Sequence, residues 1–176
     1  MVDFTSLDYL LTGNVKQKAV YRALTEHGVL DKLRSFDPIL TGTIPINIDT
    51  DTSDLDIICC FTDAAAFEKH LVENFANEHD FKRFMPKRTG AIAASFTCEG
   101  FVVEVYGQAI PTQQQAAYLH MIIEYRILLE KGEDFRQQVI ALKKQGYKTE
   151  PAFGKLLGIT GNVYDELLKS KIDTRE

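Results

Sequence analysis

The apolar positions of this chain change period along its length, and the changes mark out a series of elements. Leu7, Leu10 and Leu11 recur at helical spacing after Thr5 and Ser6, either of which would cap a first helix. A second helix is predicted from about Val15 to about Glu26. Its stripe is Ala19, Val20 and Leu24, continued by Leu30 and Leu33, with Gly28 as a stop. Pro38 introduces a short strand through Ile39 and Leu40, and the polar stretch from Asn47 to Ser53 reads as a loop. From Asp54 to Phe61 two acids lead into an unbroken apolar run. That is the pattern of a strand buried on both faces beyond its start, with the acids at the rim. Thr62 or Asp63 then caps a helix through Ala65, Phe67, Leu71, Val72 and Phe75.

Three more strands are predicted near 80–85, 91–97 and 101–106, broken by Pro86, Gly90 and Glu99-Gly100, the last two as a hairpin. From Thr112 to Lys169 the pattern is helical, with stops at Gly132, Gly146 and between Gly158 and Gly161. The segment from Gln113 to Glu130 is apolar nearly all round, which predicts a central buried helix. The expected architecture is therefore α/β in the α+β sense: a small mixed sheet, flanking helices and a helical C-terminal layer. Residues 1–111 form the core and 112–176 a helical subdomain packed on it as one compact unit, which suits 176 residues of 45% hydrophobic content.

A net charge of −5 disfavours a protein that holds long nucleic acids through their phosphates, leaving small substrates or protein partners. No apolar run is long enough to cross a membrane, and Met1-Val2-Asp3-Phe4 lacks the layout of a signal peptide, so the expected address is the cytoplasm. Cys59, Cys60 and Cys98 are odd in number, and the first two would point to opposite faces of a strand. They fit neither a disulfide framework nor a four-cysteine zinc site. The cationic run from Lys82 to Arg88 reads first as a solvated edge strand or loop, although Lys87 and Arg88 are the best candidates for phosphate contacts.

Asp54 and Asp56 alternate with Leu55 and so project from one face, close enough to share a cation and unfavourable together without one. Glu104 lies between Val103 and Val105, on a face otherwise carrying Val102 and Tyr106, where a carboxylate needs a partner or a metal. Three oxygen donors of this kind suit Mg2+ or Mn2+. Separated from Asp54 by ten residues, the Gly42-Thr43 turn offers close backbone approach to a phosphate and a hydroxyl donor. His120 and Glu124, four apart, share a face of their helix. They read as a hydrogen-bonded pair tying that helix to the sheet, or as groups that orient one another and reach toward the carboxylates. The loop from Asp49 lacks the Gly and Glu of a calcium-binding EF-hand, and no dinucleotide, P-loop or nucleophile-elbow fingerprint is present.

At Gly42-Thr43, Asp54-Leu55-Asp56-Ile57 and Val103-Glu104-Val105 the chain resembles the nucleotidyltransferase superfamily that includes DNA polymerase beta and the antibiotic adenylyltransferases. Thr43 stands where that pattern has Ser or Gly, and Thr41 where it has a hydrophobic residue. Leu40 to Pro45, Ser53 to Ile58, Glu104 to Gln108 and His120 to Glu124 look like the DUF4269 family, a resemblance running through most of the chain. The superfamily resemblance implies that Asp54 and Asp56 bind metal together with nucleotide phosphates. Glu104 would complete a second metal site and help deprotonate the attacking hydroxyl. It further implies Mg2+ or Mn2+ as cofactor, an NTP substrate and an unidentified small-molecule or protein acceptor. A non-catalytic nucleotide- or protein-binding module and a metal-dependent phosphohydrolase are the alternatives for the same residues.

Overall fold

The computed structural model describes residues 2–86 and 90–169. Near the N-terminus, Asp8–Thr12 is a short 3-10 helix whose cap residue, Leu7, offers no side-chain bond, while Ser6 Oγ accepts from the Asp8 backbone at 3.3 Å. The Thr5 hydroxyl takes no part in the cap and donates to Asp3 at 2.6 Å. Three residues per turn bring Leu7 and Leu10 inward and leave Leu11 49% exposed. Helix α1 is Val15–Glu26, started by Asn14, whose side chain accepts from the Gln17 backbone while the Gln17 side chain accepts from that of Asn14. Gly28 (φ 59) breaks the helix in the left-handed region, and α2, Val29–Leu33, restarts out of phase. The buried stripe is consequently Val20, Ala23, Leu24, Val29 and Leu33, with Ala19 and Leu30 only half-buried.

Five strands form one mixed sheet in the order β1-β2-β5-β4-β3, where β1 is Ile39–Thr41, β2 Leu55–Cys60, β3 His79–Phe84, β4 Ile92–Cys98 and β5 Phe101–Gln108. Among the described strands only the β2/β5 pair is parallel. The connection between β2 and β3 is α3, Ala64–Phe75, capped by the Asp63 carboxylate accepting from the backbones of Ala65 and Ala66. Phe67 of α3 stacks with Phe61 and meets Phe36 edge-on. Its ring occupies the space a side chain at Gly107 of β5 would need. The cationic edge strand β3 is largely exposed, with Arg83 paired to Glu68 at 2.6 Å. Lys87 and Arg88 lie outside the described residues.

The C-terminal layer comprises α4 (Ala116–Lys131), α5 (Glu133–Lys144), α6 (Thr149–Leu157) and α7 (Val163–Lys169). Helix α4 is not buried all round: Leu119 is 38% and Leu129 60% exposed, whereas the polar residues His120 and Glu124 face inward at 7% and 4%. Buried side chains fall into two clusters. One joins the first helices to the sheet; the other joins the C-terminal helices and recruits Phe4, Ile46 and Ile48 from the first part of the chain.

The segment between β1 and β2 stitches these clusters together. Ile44 belongs to the first, while Ile46 and Ile48 belong to the second, and each of those two is worth about 1.5–3 kcal/mol of apolar burial. Its carbonyls, unpaired by any sheet, receive side-chain donors from both sides. Gln17 donates to Ile44 at 2.8 Å and Lys16 to Thr50 at 2.7 Å, both from α1. From α5, Arg136 donates to Ile46 at 2.5 Å and Lys143 to Ile48 at 2.8 Å. A loop satisfied in this way is held as firmly as an element.

Candidate functional site

Parallel pairing of β2 with β5 sets Asp56 directly opposite Glu104, and antiparallel pairing with β1 sets Thr41 on the other side of Asp56. Adjacent partners in register share a face, so the two carboxylates lie side by side across the strands. Asp54 is exposed just ahead of β2 and acts electrostatically on both. Burial, then the negative charge of Glu104, then that of Asp54, push the Asp56 carboxyl up to about 7, with Lys143 partly offsetting them. Glu104 is raised as well, by burial and by Asp54. It is half-buried rather than enclosed: its face of β5 carries the exposed Val102 and lines an opening, while Val103 and Val105 fill the core on the other face.

Gly42 follows β1 with φ +82, and a Cβ there would come 2.5 Å from Asp56 Oδ2. The turn therefore needs glycine twice over, for its backbone angle and for room beside the carboxylate. The Thr43 hydroxyl donates to Ser53 at 3.3 Å, across the neck of the loop, and Thr41 Oγ1 donates to the Asp56 carbonyl at 3.2 Å.

These groups border two adjoining recesses. One, of about 390 Å3, lies between the sheet, with Asp56 and Glu104, and the helices, with His120, Glu124 and Glu150. The other, of about 590 Å3, is bordered by Thr43, Ser53, Asp54 and Asp56 on one side and by Lys143 and Lys148 on the other. Asp56 and Thr43 belong to both. The structure thus brings together Gly42, Thr43, Asp54, Asp56 and Glu104, and puts His120 and Glu124 across the cleft from them.

Among the described residues no hydrogen bond ties His120 or Glu124 to the sheet, and His120 Nδ1 and Glu124 Oε1 are buried without a hydrogen-bond partner. Burial lowers the His120 pKa against the opposing charges of Glu150 and Asp165, and raises that of Glu124 well above the usual carboxylate range. Lys143, Lys148 and Glu150 escape sequence reasoning, because each reads as an ordinary charge beside a helix end. The one available signal for Lys143 is its place four residues after the buried Val139 and next to Leu142, on the flank of an inward stripe. Burial lowers its ammonium pKa to about 8, against the raising influence of Glu124, Asp49, Glu150 and Asp56.

The five-stranded mixed sheet with its flanking helices is a nucleotidyltransferase-like fold, shared with several solved structures. A chain of the GLD-2/RNP-8 complex matches with a TM-score of 0.57 at 12% identity, over 85% of this chain and 57% of that one. The Cid1 poly(U) polymerase matches at 0.56 and 16% identity over 88% of this chain and 52% of its own. Its MgGTP-bound form matches at 0.53 and 14% identity over 75% and 47%. The chain spans about half the length of these structures. The chain belongs to the DUF4269 family, described as a domain of unknown function, whose family model matches residues 22–170. No curated protein matches its sequence. Among the described residues no helix is long and apolar enough to cross a membrane.

Proposed function

We propose that this chain is a metal-dependent nucleotidyltransferase that moves a nucleoside monophosphate from an NTP to a small-molecule or protein acceptor. The observation that carries the reading is the placement of Asp56 opposite Glu104, with Asp54 beside them and the Gly42 turn against the Asp56 carboxylate. Mg2+ or Mn2+ fits these residues chemically. The donors are hard oxygens, and the mutual repulsion that raises Asp56 is what a divalent cation relieves. Asp54, Asp56 and Glu104 would hold it. When bound, such an ion neutralises phosphate charge and stabilises the entering and leaving oxygens of the transfer.

The chain's own groups supply the rest. Gly42 leaves its backbone open to a phosphate, and the Thr43 hydroxyl, now directed at Ser53, can turn to donate to a phosphate oxygen. Lys143 and Lys148, on the wall facing Asp54, are cations positioned for the triphosphate, a role for which Lys87 and Arg88 are also proposed. Glu104, in register with Asp56 and open to the recess, would help to deprotonate the attacking hydroxyl. The 390 Å3 recess beyond Glu104 has room for an acceptor of modest size.

A crystal soaked with Mn2+ and a non-hydrolysable NTP tests the reading, with anomalous density expected at Asp54, Asp56 and Glu104. Absence of metal from this accessible cleft overturns it. Release of product from an NTP with water alone, without an acceptor, favours a phosphohydrolase.

A further inference from the structure

Across the cleft from Asp56 and Glu104 stands a second set of donors. His120 and Glu124 lie four residues apart on α4, which places both on one helical face, and Glu150 enters from the first turn of α6. One ligand atom from each of the three lies within 4.8 Å of the other two. His120 Nδ1 and Glu124 Oε1 are each buried and without a hydrogen-bond partner, in side chains more than nine-tenths buried. Unpaired nitrogen and oxygen in such a setting are unfavourable unless something else engages them. Lys143 is the cation whose charge acts on Glu124, but its Nζ donates to the Ile48 carbonyl. The α4 surface deepens the anomaly, since Leu119 and Leu129 are left to solvent while the imidazole and carboxyl turn inward.

We propose that His120, Glu124 and Glu150 form a transition-metal site that takes Zn2+, separate from the carboxylates of the sheet. One imidazole and two carboxylates are a borderline donor set, unlike the all-oxygen set at Asp54, Asp56 and Glu104, and imidazole favours Zn2+ over Mg2+. Three protein ligands leave a coordination position open toward the 390 Å3 recess, the arrangement of a site that also receives a small ligand. The two ligands on α4 are one helical turn apart, so the helix itself sets their spacing, and Glu150 ties α6 to it. Binding of Zn2+ does not depend on the transferase reading.

The test is equilibrium dialysis of the metal-free full chain against Zn2+ without nucleotide, with bound metal measured directly. About one equivalent is expected to bind to the wild type and to the D56N/E104Q double variant, and binding is expected to weaken at least about tenfold in H120N and in E150Q. The Co2+-loaded wild type should show ligand-field bands that change in H120N. Glu150 is half-buried at a helix start, so E150Q serves if H120N does not fold. Zn2+ should then raise the melting temperature of the wild type but not of E150Q. Failure of the wild type to bind at micromolar Zn2+, or unchanged affinity in E150Q, overturns the proposal. Loss of binding in D56N/E104Q alone, which would place the ion on the sheet, overturns it as well. The Mn2+ and NTP soak is read at different residues, so the two readings fail separately.

Discussion

Replacing Asp56 with Asn should make the metal-free protein more stable, by an amount that grows with pH. In the unfolded chain this carboxyl ionises near 3.8, whereas folding pushes it up to about 7 through burial and the charges of Glu104 and Asp54. Between those values the unfolded state binds fewer protons, so stability falls as pH rises. The loss begins above 3.8 and is complete above about 7. At about 1.36 kcal/mol per decade, the ionised side chain opposes folding by roughly 1–2 kcal/mol at pH 5 and roughly 4 kcal/mol at pH 8. Asn keeps the shape and removes the charge. Any effect of the amide on packing is the same at both pH values, so the difference between them isolates the electrostatic part. For a chain of this size each kcal/mol moves the melting temperature by about 2–4 °C, and the advantage of D56N should widen by about 5–10 °C from pH 5 to pH 8. Thermal melts in EDTA at the two pH values measure this. Saturating Mg2+ or Mn2+ should then stabilise the wild type and leave D56N unmoved. An advantage that stays constant or shrinks with pH would refute the claim that Asp56 is a half-buried, repelled carboxylate.

Three further substitutions probe the elements that build the site. Gly42→Ala should lose about 1–2 kcal/mol from its left-handed backbone and weaken Mn2+ binding by displacing the Asp56 carboxylate. A melt and a spin-resonance Mn2+ titration check both, and unchanged binding would show that the turn does not abut the site. Phe67→Ala should cost about 3–5 kcal/mol in urea unfolding, because the fully buried ring fills the space between Phe36, Phe61 and Gly107. Asp63→Ala should cost about 1 kcal/mol by the same measurement, through loss of the two amide contacts at the start of α3, with Mn2+ affinity unaffected.

The amino-acid order by itself determined most of the elements and the faces on which the sheet acids stand. Periods of two and 3.6 residues, Asp63 before an apolar helix and glycines past helix ends are local signals, and local geometry obeys them at α1, β2, α3 and the stops after α4 and α6. Alternation along β2 and β5 likewise assigned the Asp54–Asp56 and Glu104 side chains to faces without knowledge of their neighbours. Local signals failed where a register had to carry across a break, as at Gly28, and where a five-residue turn was too short to choose between helix types.

Only the tertiary structure decided that β5 lies between β2 and β4, because strand order depends on pairings among residues far apart in sequence. That insertion is what sets Asp56 opposite Glu104. The same holds for the helical wall of the cleft. An apolar surface on every side of α4 gave its orientation no local bias, and the packing against α5 and α7 turned His120 and Glu124 inward, where Glu150 meets them. Lys143 became part of the site for a similar reason, since its ammonium is drawn in by the Ile48 carbonyl of a loop that belongs to the other half of the chain.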